Sequence, residues 1–141
     1  RSDAATTRKI IEVTRKFISK LDIAEEERMD ISSALISYVR TDQSQVASVS
    51  EFAQKYLPDP DLRDTYEEFC RKNSLPEHSF TKNLAESKSL LRRRKVRFGN
   101  DVQLTAPADK FGDLVEITSI PGTDDEPWTQ ITVKAKLIGE K

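Results

Sequence analysis

Apolar side chains recur at helical spacing through the first half of the chain. A first helix is predicted by a stripe at intervals of three and four residues, formed by Ile10, Val13, Phe17, Ile18 and Leu21. Thr6 or Thr7 is its expected N-cap. A second helix is predicted to begin near Asp22, and its buried stripe comprises Ile31, Ala34, Leu35 and Tyr38, with Val39 on the flank.

Capping signals predict the helices that follow. Ser48 and Glu51 have the spacing of a capping box, in which the serine oxygen accepts from a first-turn amide and the glutamate reaches back. Asp59 is placed to cap the next helix, with Pro60 in its first turn. A fifth, shorter helix is expected from about Asn83 to Leu91.

Alternation of apolar and polar residues replaces the helical pattern after residue 91. It predicts strands within residues 96–104, 114–120 and 131–137. Helices followed by strands predict an α+β fold of four to five helices followed by a three-stranded antiparallel sheet. The helical part is residues 1–92 and the sheet part is residues 93–141, together one domain cut from a longer protein. Trp128 is expected to pack against the helices.

The composition narrows the functional class. The chain has 141 residues with a single cysteine, Cys70, and a single histidine, His78, which leaves little material for disulfide, metal or nucleophile chemistry. No apolar run approaches the roughly 20 residues that cross a bilayer. We therefore expect a cytoplasmic, non-enzymatic domain without catalytic residues, a metal, a cofactor or a small-molecule substrate, and without contact to a membrane.

Charge is distributed unevenly, although the formal net charge is only −1. Residues 71–97 hold nine Lys and Arg and two acidic residues, whereas the segments before and after each have a net charge of −4. Clustered Arg and Lys side chains neutralise phosphates, so this stretch is the predicted site of sequence-nonspecific DNA binding. The basic run comprises seven residues, which are Arg92, Arg93, Arg94, Lys95, Arg97 and the flanking Lys82 and Lys88.

The basic run has two other interpretations. It would also suit an acidic protein surface, and charges along a strand edge can serve only to block association between edges. If Arg93, Lys95 and Arg97 alternate along a strand, they share one solvent-facing side opposite Val96 and Phe98.

Two further features are candidate binding elements. The pair of helices between residues 48 and 73 has the outline of a helix-turn-helix, but its second helix is acidic and would repel phosphate, so core packing is the better interpretation. The runner-up function is a protein-interaction or dimerisation module, which recruits a DNA-management partner without itself binding DNA. Its candidate surface is the first-helix stripe of Ile10, Val13 and Phe17, if that stripe is exposed.

The order of these features resembles a known family. An amphipathic helix ending in an acidic turn is followed by the helix from Ile31 to Val39, then by Val49-Ser50-Glu51-Phe52-Ala53, Tyr66-Glu67-Glu68-Phe69 and a closing Ile131-Thr132-Val133-Lys134 strand. This series resembles the C-terminal portion of the bacterial nucleoid-associated proteins of the NdpA/YejK type, from about Thr7 to Lys136.

The resemblance implies a non-enzymatic protein of the bacterial nucleoid that forms a dimer. It also implies a protein partner of the topoisomerase type. No catalytic or base-reading residue is carried over, because the family has no motif for one. The Arg92 to Arg97 run stands where this family often has a glycine-rich stretch, which implies stronger DNA contact in this member or a different partner.

Overall fold

A computed structural model of the chain describes residues 2–40 and 44–140. The chain divides into two compact units. The first unit holds Arg1–Ile23 and Glu27–Ser89, and the second holds Ala24–Glu26 and Leu90–Lys141. None of the described helices is long and apolar enough to cross a membrane.

Helices dominate the first unit. Its two short strands pair antiparallel, with Val46 opposite Thr81 and Ala47 opposite Phe80. A 3₁₀ turn at Leu84–Glu86 follows and leads into the short helix α5 (Lys88–Arg92), at which the second unit begins. The other elements are α1 (Asp3–Ser19), α2 (Glu25–Arg40), β1 (Val46–Ala47), α3 (Val49–Tyr56), α4 (Pro60–Lys72) and β2 (Phe80–Thr81).

The core of the first unit is aromatic. Tyr66 of α4 packs against Phe17 of α1 with ring centroids 5.1 Å apart, and against Phe52 of α3 at 5.7 Å. The Tyr66 hydroxyl reaches the Thr14 hydroxyl at 2.7 Å, so the buried polar end of the ring is satisfied. The predicted stripes of the first two helices are largely buried, which confirms the helical period of this region.

Two of the predicted caps are found and one is wrong. Asp59 caps α4 and Pro60 is its first residue, as expected. Ser48 caps α3, but Glu51 does not reach back to it, because the Tyr38 hydroxyl takes that place: it accepts from Ser48 N and donates to Glu51 Oε1. The N-cap of α1 is Ser2 rather than Thr6 or Thr7, both of which are buried inside the helix.

The second unit consists of two β-hairpins joined by a single helical turn. β3 (Arg93–Arg97) pairs antiparallel with β4 (Gln103–Pro107), and β5 (Val115–Ile120) pairs antiparallel with β6 (Trp128–Val133). A 3₁₀ turn at Ala108–Lys110 and the helix α6 (Phe111–Leu114) lie between the hairpins in sequence. The buried apolar residues of this unit are few: Leu91, Ala106, Phe111, Val115 and Ile117.

The loops of both hairpins contain tight turns with two consecutive residues at positive φ. In the first, Asn100 and Asp101 have φ near +60°, and Val102 N donates to Gly99 O. In the second, Asp124 and Asp125 take the same conformation. This is the signature of type I′ turns, and Asn and Asp tolerate it better than other side chains.

The predicted three-stranded sheet is wrong, although the mixed helix and strand content is confirmed. The described strands form three separate two-stranded sheets, because the turn at Asn100 splits the expected first strand into a hairpin, and β1 and β2 add a third pair. Six α-helices lie in the described residues rather than four or five, since the one-turn helix α6 follows β4.

The last strand also differs from the prediction. It begins earlier, at Trp128, and ends at Val133, so Leu137 lies beyond it and is almost fully exposed. Trp128 is 54% exposed and lies against Gly122, where a Cβ atom would collide with the indole and with Glu126 O. The expectation that Trp128 is covered by packing against the helices is therefore wrong, because the contact found for its ring is the loop of its own hairpin.

Candidate nucleic-acid interface

The outward face of the β3–β4 hairpin carries a row of three cationic side chains. Along β3, Arg93, Lys95 and Arg97 are exposed, whereas Arg94 is buried and Val96 is half-buried. This is the period of two that a strand imposes on side chains. We call these three residues the basic row. The predicted alternation of the three cations on one solvent-facing side is thus present.

The opposing strand leaves this face free of negative charge. The register places Thr105 across from Lys95 and Gln103 across from Arg97. Arg93 donates from Nε to Thr105 Oγ1 at 2.9 Å, which holds its guanidinium along the face. Within the described part of the second unit, no carboxylate is ion-paired with a residue of the basic row.

Arg94 lies on the opposite face and has a structural role. It is 8% exposed, and its guanidinium carbon lies 4.6 Å from the centroid of the Phe111 ring. An arginine stacked on a buried aromatic ring contributes packing and cation–π attraction. The basic run therefore does not act as one surface, because strand geometry turns its third arginine inward.

The remaining residues of the basic run are distributed over both units. Arg92 is exposed at the end of α5, directly before the basic row. Lys88 is exposed and Lys82 is half-buried, and both belong to the first unit. The Lys82 ammonium lies 4.6 Å from the centroid of the Tyr38 ring, which explains its position without a phosphate.

The alternative interaction surface on the first helix is buried. Ile10, Val13 and Phe17 are at most 7% exposed, and Phe17 packs against Tyr66 and Phe69 of α4. The expectation that this stripe is an exposed docking surface is wrong. This apolar stripe is covered within the first unit, because α4 packs the rings of Tyr66 and Phe69 against Phe17.

The single cysteine is buried in the same core. Burial raises the pKa of the Cys70 thiol to about 11, while a hydrogen bond with Tyr66 opposes the shift and the charge of Glu67 adds to it. A thiol with so high a pKa carries almost no thiolate near neutral pH. Cys70 is thus a small residue of the core.

A cleft of about 410 Å³ lies in the first unit, beside α3 and α4. Asp64, Glu67, Glu68 and Glu77 line it together with Arg71, which is ion-paired with Glu68. The excess of carboxylates gives this cleft the wrong sign for phosphate. No cluster of three or more metal-ligating side chains is found in residues 2–40 and 44–140.

Sequence reasoning missed the residues that complete the face, Gln103 and Thr105. They join the basic row only through the register that the tight turn at Asn100 and Asp101 sets. The signal was available in the Gly99-Asn100-Asp101 sequence, since Asn and Asp between two alternating runs predict a hairpin.

Comparison with known proteins gives one distant relative. An uncharacterized protein of Methanocaldococcus jannaschii is 26% identical over 110 residues, which cover 72% of this chain and 19% of that protein. The chain thus spans about a fifth of the length of the relative that it matches. No known protein family matches the chain, and no solved structure matches it either.

Proposed function

We propose that this chain is a sequence-nonspecific nucleic-acid binding module, with DNA as its polymer, and that it contacts phosphates through the basic row on the β3–β4 hairpin. The observation that carries the proposal is the alternation of Arg93, Lys95 and Arg97 on one exposed face without an acidic neighbour across the hairpin. Arg92 is a fourth exposed cation, directly before the row in the sequence.

The spacing of the basic row suits a phosphate backbone. A strand advances by about 3.3 Å per residue, so alternate side chains lie about 6.6 Å apart. Consecutive phosphates of a nucleic-acid strand have a comparable separation, so each cation of the row can meet a different phosphate. Arginine also binds phosphate oxygens through two parallel hydrogen bonds, which makes Arg93 and Arg97 the strongest expected contacts.

The proposed binding does not select base sequence, because phosphate contacts carry no sequence information. The side chains of this face besides the cations are Gln103, Thr105 and Pro107, with no aromatic ring on which a base would stack. The second helix of the α3–α4 pair carries acidic residues, which speaks against entry into a major groove. The proposal is therefore a binding function without catalysis, and the resemblance to nucleoid-associated proteins supports DNA rather than RNA.

Removal of the basic row tests the proposal. The variant Arg93→Gln, Lys95→Gln, Arg97→Gln should bind a labelled random-sequence duplex at least tenfold more weakly than the parent chain, because about three phosphate contacts are lost. Fluorescence anisotropy at low salt measures this affinity. The loss should be equal for duplexes of different sequence, since phosphate contacts carry no base information.

A matched control separates the basic row from net charge. Lys16, Lys72 and Lys110 are exposed and lie outside the row, so their triple change to Gln alters the net charge by the same amount. This control should retain most of the affinity. Equal losses in both triple variants, or an unchanged affinity in the first, would contradict a phosphate site on this hairpin.

A further inference from the structure

The backbone groups of β6 point alternately toward β5 and toward the outer edge of the strand. Lys134 N donates to Leu114 O at 2.7 Å, which fixes the hydrogen-bonded pairs of the β5–β6 ladder. Because these pairs alternate along an antiparallel ladder, Gln130 and Thr132 point their backbone groups toward β5. The backbone groups of Thr129, Ile131 and Val133 point the other way, and no strand of the described residues pairs with them.

This edge has none of the usual protection against pairing. Edge strands are normally blunted by charged side chains, proline or bulges. β6 has the sequence Trp-Thr-Gln-Ile-Thr-Val, without a charged residue or a proline, and all of it but Ile131 is exposed. In β3, by contrast, four of the five residues are charged.

The apolar face of this hairpin is only partly covered. Val115 and Ile117 of β5 are buried, and they lie opposite Val133 and Ile131 of β6. Val133 is nevertheless 50% exposed, and Ile138 in the segment after it is 95% exposed. A further strand beside β6 would cover the exposed half of this apolar face.

The charges around β6 identify what such a strand would be. Asp124, Asp125 and Glu126 precede β6, and Lys134 and Lys136 follow it. The two ends of β6 are about 20 Å apart at the rise of a strand, so these opposite charges do not meet across their own strand. In an antiparallel pair of two identical β6 strands, the acidic end of each lies beside the basic end of the other.

We propose that β6 pairs antiparallel with β6 of a second copy of this chain, which joins the two β5–β6 hairpins into one four-stranded sheet. Pairing through the outward backbone groups allows a two-fold axis at Gln130 or at Ile131. The first register places Asp124 opposite Lys136 of the partner, and Glu126 opposite the partner's Lys134, whose Nζ also lies 2.9 Å from Glu116 Oε1 of its own hairpin. The second register places Glu126 opposite the partner's Lys136. The proposal does not depend on phosphate binding by the basic row.

Proline at position 129 tests the pairing of the edge. The Thr129 amide points away from β5, so Thr129→Pro removes an intermolecular donor and leaves the β5–β6 bonds intact. Sedimentation of the full chain from about 1 µM to about 1 mM should show a monomer–dimer equilibrium, which the variant weakens at least about tenfold. Thr129→Ala, which keeps the amide, should dimerise like the parent chain.

Charge reversal tests the direction of pairing. Lys136→Glu should weaken the dimer, and so should Glu126→Lys, because each places like charges at both ends of the paired strands. The double variant carrying both changes should recover most of the affinity, since every acidic end again meets a basic one. Recovery in the double variant identifies contact between copies, because the two positions lie at opposite ends of β6.

Hydrogen exchange gives a reading that does not depend on any variant. At concentrations where the dimer forms, the amides of Thr129, Ile131 and Val133 should become protected, while those of Gln130 and Thr132 are protected at all concentrations. A chain that stays monomeric to about 1 mM overturns the proposal and leaves this edge to a different partner. A dimer that is indifferent to Thr129→Pro and to charge reversal overturns it as well, and points to another surface.

Discussion

At the scale of single residues, neighbours of the same type have opposite roles in β3. Arg93 and Arg94 are both arginines, yet Arg93 is exposed on the outward face and Arg94 is buried over Phe111. A strand turns successive side chains to opposite sides. A shift by one position along β3 therefore changes a candidate phosphate contact into a core contact. Arginine is tolerated at the buried position, because its long apolar stem packs in the core while its guanidinium stacks on the Phe111 ring.

This difference predicts distinct effects of alanine at Arg94 and Lys95. Arg94→Ala should lower the free energy of unfolding by about 1–2 kcal/mol through lost stacking and packing, and should change DNA affinity little. Lys95→Ala should change stability by less than about 0.5 kcal/mol and should reduce DNA affinity. Urea unfolding and fluorescence anisotropy measure the two quantities. An Arg94→Ala variant that unfolds normally but loses DNA would reverse the two assigned roles.

At the scale of elements, the β3–β4 turn decides which residues share the outward face. Its central residues, Asn100 and Asp101, have positive φ, and the tight turn fixes Lys95 opposite Thr105. A slip by one residue would turn every side chain of one strand to the other face. The local turn chemistry thus controls the composition of the basic face, although none of its own residues belongs to that face.

Substitution of Asn100 tests the turn. Asn100→Ala should destabilise the chain by about 1 kcal/mol, because alanine has a Cβ atom but lacks the amide group that lets asparagine tolerate a φ of 59°. Asn100→Gly should be neutral or slightly stabilising, because glycine has no Cβ atom. Urea unfolding measures both. Gln103→Ala, an exposed strand position in the same hairpin, is the control and should change little. Equal stability of the Ala and Gly variants would exclude this role of the turn.

At the scale of the whole molecule, the near-zero net charge conceals a separation of charge. The formal net charge is −1, and yet the basic row forms a face free of carboxylates while the cleft beside α4 is acidic. An overall charge near zero provides no long-range attraction to DNA, so the proposed binding would depend on the few cations that face the phosphates. The number of those cations therefore sets the response of binding to salt.

The structure limits how many cations can contact phosphates at once, and this number sets the expected salt dependence. Arg92 and the basic row provide about four phosphate contacts, so log affinity plotted against log salt concentration should have a slope of about −3 to −4. The whole basic run of seven residues would give a steeper slope, about −6. Anisotropy titrations over a range of salt concentrations distinguish the two. A slope near −6 would mean that Arg94, Lys82 and Lys88 also reach phosphates.

The sequence by itself determined the local features of this protein. Helical spacing located the helix stripes that are buried here, Asp59 and Pro60 marked the start of α4, and alternation along β3 put Arg93, Lys95 and Arg97 on one side. These features follow from contacts between residues a few positions apart, so the pattern of one segment contains the necessary information.

Only the tertiary structure decided which surfaces are left exposed. The stripe of Ile10, Val13 and Phe17 is core because α4, about fifty residues later, covers it, and Arg94 is buried because Phe111 lies beneath it. The pairing of strands into separate hairpins likewise depends on which edges meet, and β6 keeps one edge open. Burial and strand pairing depend on contacts between segments that are distant in the sequence. The hydrophobic period of one segment does not predict which other segment it contacts.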